Sequence, residues 1–116
     1  MKSFLFLSVL LSLTASKSCK DGKDQTLPSC IQQMIEEYQS KPSQNPPASI
    51  YEYDYNGQKV YYVTAPCCDQ LNKLYDANCN IICHPDGGFS GKGDGKCPDF
   101  NSAKANEKLI WKDERP

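Results

Sequence analysis

The chain has 116 residues and carries 13 basic against 14 acidic side chains, which gives a formal net charge of −1. A chain of this length accommodates one domain, and its nearly neutral charge excludes the basic surface of a nucleic-acid-binding protein. Seven residues are cysteine, a content typical of exported proteins with disulfide bonds.

Residues 1–18 have the pattern of a secretory signal peptide. A positive start at Lys2 precedes an apolar run over residues 4–13. A run of about ten residues is too short for a bilayer core, which needs about twenty, and no later stretch is apolar enough to cross a membrane. Cleavage by an ordinary signal peptidase after Ser16 and cleavage by a lipoprotein peptidase before Cys19 both fit the sequence.

Cys19 is the odd cysteine, separated from a group of six. A lipid thioether would remove its reactive thiol, so we expect lipidation of Cys19 and a periplasmic or cell-surface location. Simple secretion, with a free or interchain Cys19, is the alternative. Residues 19–28 form a polar tether. Without residues 1–18 the chain loses Lys2 and Lys17, which leaves 11 basic against 14 acidic side chains and predicts membrane contact only through the lipid.

The first predicted element is a helix that begins at Ser29. Ser29 and Gln32 have the spacing of a capping box, in which side chains satisfy free backbone N–H groups at the helix start. An apolar stripe follows at helical spacing: Ile31, Met34, Ile35 and Tyr38. Pro42 ends the pattern, because the residue before a proline is pushed out of the helical region. Cys30 lies at the edge of the stripe, so it can tie the helix to its packing partner.

The clearest local signal is a β-hairpin. Residues 50–55 and 58–64 flank Asn56-Gly57, the preferred pair for a two-residue type I′ turn. Alternation assigns one face to Tyr51, Tyr53, Val60 and Tyr62, and the other face to Glu52, Asp54, Lys59 and Tyr61. We expect the first face to meet the helix and Asp54 and Lys59 to form an ion pair. Tyr55 and Tyr61 then remain as candidates for surface recognition.

A second hairpin is predicted over residues 71–75 and 80–84, with a turn in which Asn78 takes a positive φ. One helix and two hairpins predict an α+β domain over residues 29–100, in which the helix packs on an antiparallel sheet and a glycine-rich loop follows. Residues 101–116 form a C-terminal tail, in which residues 109–111 either add an edge strand or stay loose.

Six cysteines in this domain are predicted to form three disulfides: Cys30, Cys67, Cys68, Cys79, Cys83 and Cys97. A bond between neighbours demands a strained peptide, so Cys67 and Cys68 are expected to point to opposite faces and clamp separate elements. Cys97 is expected to close the glycine-rich loop, and the remaining pairing stays open. A zinc site that combines thiolates with His84 is the rival interpretation, but the paired C-x₂-C spacing of structural zinc sites is absent.

Residues 86–97 contain five of the seven glycines, a density that no regular element tolerates. The candidate ligand-binding residues here are Asp86, Gly88, Lys92, Asp94, Lys96 and Asp99. Three interpretations fit: Ca²⁺ ligation by the three aspartates, anion binding by the two lysines with backbone N–H groups, or a disulfide-bounded loop whose glycines permit tight packing. The sequence favours the third. No nucleophile signature accompanies His84, so no catalytic residue, cofactor or enzymatic activity is predicted.

Two segments carry a resemblance to a known group of proteins: Cys67-Cys68-Asp69-Gln70 and Gly91-Lys92-Gly93-Asp94-Gly95-Lys96-Cys97-Pro98-Asp99-Phe100. Over about residues 27–100 the chain resembles a family of small, cysteine-rich bacterial secreted proteins and lipoproteins of unknown function. The resemblance implies a secreted α+β domain and supplies no activity. We therefore expect a binding or structural protein whose partner is a protein or a surface ligand. Inhibition of an extracellular hydrolase and Ca²⁺ binding at the cell surface are the alternatives.

Overall fold

The computed structural model describes residues 26–116. The predicted signal peptide, Cys19 and most of the polar tether lie outside the described residues. The elements of the described part are α1 (Ser29–Gln39), β1 (Ser49–Tyr55), β2 (Gln58–Val63), β3 (Lys73–Tyr75), β4 (Ile81–Cys83), α2 (Phe100–Ala103) and β5 (Ala105–Lys112). Within residues 26–116, neither helix is long and apolar enough to span a bilayer.

The five strands form one antiparallel sheet in the order β4-β3-β2-β1-β5. The predicted α+β class is confirmed. Strand β5 pairs with β1, so residues 109–111 belong to an edge strand, one of the two alternatives that the sequence left open. The sheet continues beyond residue 100 because Ile110 and Trp111 are half-buried against the cluster beneath α1.

The β1–β2 hairpin has the predicted register. Tyr55 faces Gln58 across a turn in which Asn56 and Gly57 take φ values of 49° and 75°, the left-handed conformation that a type I′ turn requires. Lys59 Nζ lies 2.6 Å from Oδ1 of Asp54, so the predicted cross-strand ion pair is confirmed.

Helix α1 begins at Ser29 as predicted, but the predicted capping box is wrong. Pro28 occupies the cap position, and its carbonyl accepts hydrogen bonds from the backbone N–H groups of Ile31 and Gln32. The Gln32 side chain turns back and donates to the carbonyl of Leu27 at 2.7 Å. Proline suits a helix start because backbone donors there have no helical partner, so its missing N–H group costs little.

The helix packs on the face of the hairpin opposite to the expected one. Ile31 is fully buried in a cluster with three hairpin residues: Ile50, Tyr61 and Val63. The expectation was wrong because it considered only the row of tyrosines. Ile50 and Val63 are aliphatic residues at one end of the other face, and the helix packs on them. Tyr61 is therefore 3 % exposed and donates to Glu52 at 3.0 Å, so it is not a surface residue.

The other face of the hairpin, which we call the tyrosine face, is covered by the second half of the chain. Phe100 at the start of α2 is fully buried, and its ring centroid lies 5.3, 5.6 and 6.1 Å from those of Tyr55, Tyr53 and Tyr62. Tyr55, another candidate for the surface, is buried and donates to Asp99 at 2.7 Å. Both sides of the sheet thus carry a buried cluster.

Strands β3 and β4 form the second hairpin, with three residues in each strand. The positive φ in its turn belongs to Cys79, at 60°, and the prediction for Asn78 is wrong. Asp76 explains the turn, because its Oδ1 accepts the backbone N–H groups of Asn78 and Asn80, both at 2.9 Å. These bonds, the one from Asn80 first, also hold the pKa of Asp76 below its usual value.

Three disulfides form among the described cysteines: Cys30–Cys79, Cys67–Cys68 and Cys83–Cys97. The first ties α1 to the turn of the second hairpin, and the third closes the glycine-rich loop, as expected for Cys97. The prediction for the adjacent cysteines is wrong. Cys67 and Cys68 bond to each other across a cis peptide, whose Cα atoms are 3.0 Å apart, and therefore clamp no separate elements.

The C-terminal residues return to helix α1. Asp113 is buried and accepts hydrogen bonds from the guanidinium of Arg115, which holds the pKa of Asp113 below its usual value. The same guanidinium donates to three backbone carbonyls at the end of α1: Tyr38, Gln39 and Lys41. Carbonyls at a helix end lack helical partners, so Arg115 acts as a cap supplied from the far end of the chain.

Candidate functional site

The glycine loop, residues 86–97, is closed at its base by the Cys83–Cys97 disulfide. Both cysteines are buried in the cluster that contains Phe100. The disulfide thus fixes where the chain leaves the sheet and where it returns.

Asp86 anchors the first limb of the loop. Its Oδ1 accepts hydrogen bonds from the Tyr62 hydroxyl and from Nδ2 of Asn72, both at 2.7 Å, and Asn72 Oδ1 in turn accepts the N–H of Ala65. Burial and the Asp86 carboxylate together raise the pKa of Tyr62 well above its usual value. The carboxylate of Asp86 is consequently engaged inside the protein.

Asp94 anchors the second limb. Its Oδ2 accepts the backbone N–H of His84 and lies 3.0 Å from Nδ1 of the same residue, while Oδ1 accepts the backbone N–H of Lys96 at 3.0 Å. These bonds, the one from Lys96 first, lower the pKa of Asp94. His84 is therefore a structural partner of the loop.

Close packing explains two of the glycines. A Cβ atom at Gly93 would overlap the carbonyl oxygen of His84, and a Cβ at Gly88 would lie 2.5 Å from Cδ2 of Leu71. Both positions also have φ near +70°, which side chains rarely tolerate. The loop is therefore packed closely at these two positions, against the backbone at His84 and against the side chain of Leu71.

The three aspartates do not converge. Asp86, Asp94 and Asp99 each accept hydrogen bonds from different protein donors, with Asp99 paired to Tyr55. Across residues 26–116, no three His, Cys, Asp or Glu side chains are grouped so that they could hold a metal ion. The arrangement therefore offers no argument for the Ca²⁺ interpretation.

The tip of the loop carries an exposed aromatic ring. Phe89 is 95 % exposed, whereas Phe100 at the base is fully buried. The N–H of Gly91 donates to the carbonyl of Gly88 at 3.3 Å, so Phe89 and Ser90 are the central residues of a tight turn. A further backbone bond, from Gly93 to Gly87 at 3.2 Å, closes the loop directly behind this turn.

The charges of the loop are segregated. The carboxylates of Asp86 and Asp94 accept hydrogen bonds from protein donors, whereas Lys92 and Lys96 are exposed. Lys92 follows the tip by two residues, and Lys96 lies next to Cys97 at the base of the loop. The two candidate lysines are available to a ligand in a way that Asp86 and Asp94 are not.

Phe89 was missed in the sequence because it belongs to no periodic pattern. A signal was present, however: a large apolar side chain between Gly88 and Ser90, in a segment too rich in glycine to form a helix or strand, has no regular element that could bury it.

Two surface depressions are the competing locations for a ligand. One measures about 450 Å³ and lies open along residues 111–116. The other measures about 240 Å³ between α1 and β3 and is lined by Met34, Glu37, Tyr38, Lys41, Lys73 and Tyr75. Pockets for small molecules usually measure about 300–1,000 Å³ and enclose most of the ligand, so the first depression is too open and the second too small. The glycine loop, with its fixed backbone and exposed ring, is the better candidate.

These features define a disulfide-held α+β domain that displays a rigid loop. The model of the family described as "Domain of unknown function (DUF6970)" matches residues 36–113, and the chain belongs to this family. The match extends past residue 100, where the resemblance noted from the sequence ended, and includes β5. Neither the curated proteins nor the solved structures contain a match to the chain.

Proposed function

We propose that this protein is an exported binding domain that makes contact through the side chain of Phe89. The observation that carries the proposal is a nearly fully exposed aromatic ring on a loop whose backbone is fixed. Covering an exposed phenylalanine makes the free energy of binding more favourable, because apolar surface is removed from water. A loop already held in one conformation loses little entropy on binding.

Export is supported by the three disulfides, which suggest an oxidising, extracellular environment. We propose in addition that residues 1–18 are removed and that Cys19 carries a lipid, because lipidation would occupy the one cysteine left outside the three pairs. The intact mass of the protein extracted from membranes tests this step. A mass that includes a diacylglyceryl group supports it, and an unmodified chain that begins at residue 17 contradicts it.

A role without catalysis is part of the proposal. His84 and Asp94 form the pair that most resembles catalytic machinery, but their bonds hold the base of the loop. Hydrolysis by the purified protein that is abolished by His84→Gln, in a variant whose melting temperature is unchanged, would contradict this part.

The shape of the loop favours contact through a side chain over the alternative of hydrolase inhibition. An extended peptide segment is suited to bind as an added strand, whereas Phe89 and Ser90 lie in a tight turn closed by the bond from Gly91 to Gly88. The turn projects one ring outward and keeps its backbone compact. We therefore favour simple binding over inhibition of a hydrolase as the function.

Photo-crosslinking tests the proposed contact. A photoreactive phenylalanine analogue is incorporated at position 89 in the cells that produce the protein, and at Leu109 on β5 as a matched position, since Leu109 is also an exposed apolar residue. Adducts with protein or lipid are then identified by mass spectrometry.

We expect adducts at position 89 that are absent or much weaker at position 109. Equal crosslinking at both positions, or none at position 89, would show that the loop tip is not a contact site.

A further inference from the structure

We infer that the Cys67–Cys68 disulfide is a site of thiol–disulfide exchange, at which the protein accepts two electrons from a dithiol while its other two disulfides stay intact. The inference goes beyond the proposed function and does not depend on Phe89. It starts from two differences among the three disulfides, their exposure and the length of chain that each one closes.

Exposure is the first difference. Cys67 and Cys68 are both exposed, in the connection between β2 and β3. The two cysteines of the Cys83–Cys97 bond are 2 % and 5 % exposed, and those of the Cys30–Cys79 bond are half-buried beside the cluster beneath α1. Exchange begins when an external thiolate reaches a disulfide sulfur, so access decides which bond reacts. An attacking thiolate therefore reaches the adjacent pair more easily than the other two.

The length of chain that is closed is the second difference. Cys30–Cys79 spans 49 residues and Cys83–Cys97 spans 14, so each bond removes conformational freedom from the unfolded chain. A bond between neighbours removes almost none. Opening it leaves the unfolded ensemble nearly unchanged and costs little folding stability. The adjacent pair can therefore change its oxidation state within the folded protein.

Hydrogen bonds hold the chain on both sides of the pair. The backbone N–H of Cys67 donates to the carbonyl of Asn45 at 2.8 Å, and the carbonyl of Gln70 accepts the N–H of Gly88 at 3.0 Å. These bonds involve no sulfur atom, so reduction of the disulfide removes neither of them. The two thiols that form are thus carried by a segment that the rest of the domain still holds.

The exchange has two steps, and its electrons balance. A thiolate of the dithiol attacks Sγ of Cys67 or Cys68 and forms a new S–S bond, while the bond between the two cysteines breaks and the other sulfur leaves as a thiolate. The second thiol of the dithiol then loses its proton, attacks the mixed disulfide and releases the protein. The dithiol is oxidised to a disulfide, and its two protons end on Cys67 and Cys68.

Differential alkylation tests the inference. Free thiols of the exported, processed protein are blocked with N-ethylmaleimide, the reagent is removed, and dithiothreitol is added in increasing amounts. New thiols are labelled with iodoacetamide and located by peptide mass spectrometry. We expect label on Cys67 and Cys68 at a dithiothreitol concentration at least about tenfold below the one that labels the other disulfide cysteines. The melting temperature at that lower concentration should equal that of the untreated protein.

The matched control carries Cys67→Ser and Cys68→Ser and keeps the other two disulfides. At the same dithiothreitol concentration it should gain no label. A protein probe gives a second readout: a Cys-x-x-Cys oxidoreductase whose second cysteine is replaced by serine performs only the first step of the exchange. It should form a mixed disulfide with the natural chain and none with the control.

Several results would overturn the inference. Labelling of Cys67 and Cys68 only at the concentration that opens Cys83–Cys97 would show that the pair is not selectively reduced. A fall in melting temperature on its reduction would make it a structural bond, and the absence of a mixed disulfide would exclude exchange with a protein dithiol. N-ethylmaleimide on either cysteine before reduction would show that the pair is not oxidised. Crosslinking at position 89 is independent of all these results, so the proposed function is tested separately.

Discussion

The two faces of the sheet are covered by different kinds of structure. On one face a regular helix, α1, contributes aliphatic side chains to a cluster with Ile50 and Val63. On the tyrosine face the cover comes from the glycine loop and the short helix α2, and contact is made by aromatic rings around Phe100.

Hydrogen bonds also differ between the faces. On the tyrosine face, hydroxyl groups reach carboxylates in three successive parts of the chain: Tyr62 to Asp86, Tyr55 to Asp99 and Tyr53 to Glu107. The first two bonds link the sheet to segments that have little regular structure of their own, and the third joins β1 to the edge strand β5. The comparison shows that an irregular segment can complete a core when polar side chains of the sheet fix its position.

The largest expected effect is on the free energy of unfolding, and it differs between Phe100 and Phe89. Phe100→Ala should lower the free energy of unfolding by about 3–5 kcal/mol, because it removes a fully buried ring and leaves a cavity. Phe89→Ala should change it by less than about 0.5 kcal/mol, since the ring is exposed. Urea denaturation measures both, and a similar loss for the two variants would mean that the loop tip is packed.

The disulfides give the next comparison. They close segments of very different length, since Cys30–Cys79 spans 49 residues, Cys83–Cys97 spans 14 and Cys67–Cys68 joins neighbours. Replacing both cysteines of a pair by alanine should lower the free energy of unfolding through loop-closure entropy. The expected losses are about 4 kcal/mol for Cys30–Cys79 and about 3 kcal/mol for Cys83–Cys97, with almost no loss for the adjacent pair. Thermal and urea unfolding of the three double variants test this order. A large loss for Cys67→Ala with Cys68→Ala would contradict it.

A smaller effect tests the polar anchoring of the loop. Tyr62→Phe removes a hydrogen bond to the carboxylate of Asp86 and should cost about 1–3 kcal/mol. The amide protons of Gly93 and Asp94 should also exchange faster with solvent, because the loop loses one of its attachments. Tyr61→Phe, on the helix face, serves as the control and should leave those two amides unchanged. Equal exchange in both variants would show that Asp86 does not position the loop.

The last prediction concerns alkaline pH. Burial, followed by the hydrogen bond to Glu52, raises the pKa of Tyr61 from 10.0 to about 12. A raised pKa means that the folded protein holds this proton more tightly, so the stabilisation is complete below pH 10 and is lost as the pH rises toward 12. Unfolding free energies measured across this range should fall less steeply for Tyr61→Phe. An identical slope would exclude a contribution from Tyr61.

Sequence reasoning succeeded where local chemistry decides the structure. Asn56-Gly57 fixed the first hairpin, its register and the Asp54–Lys59 pair, because turn type and alternation are local properties. It failed where distant segments compete. The choice of face for α1 depends on which long-range cluster buries more surface, and the bond between Cys67 and Cys68 depends on a peptide geometry that residue types do not reveal.

The candidate site was predicted in outline. The glycine loop and its closure by Cys97 were identified from composition, but the division of its charged residues into inward aspartates and outward lysines was not. That division depends on the positions of Tyr62 and His84, which only the folded chain provides. The exposure of Phe89 likewise follows from the folded structure, in which no neighbouring residue covers its ring.

The reach of Arg115 back to α1 has a practical consequence for work on this protein. The guanidinium belongs to the residue before Pro116 and binds the end of α1, the first helix of the described residues. An affinity tag joined directly to Pro116 would crowd this contact, and a chain shortened after Lys112 would lack it. Purification handles are therefore best separated from Pro116 by a flexible spacer.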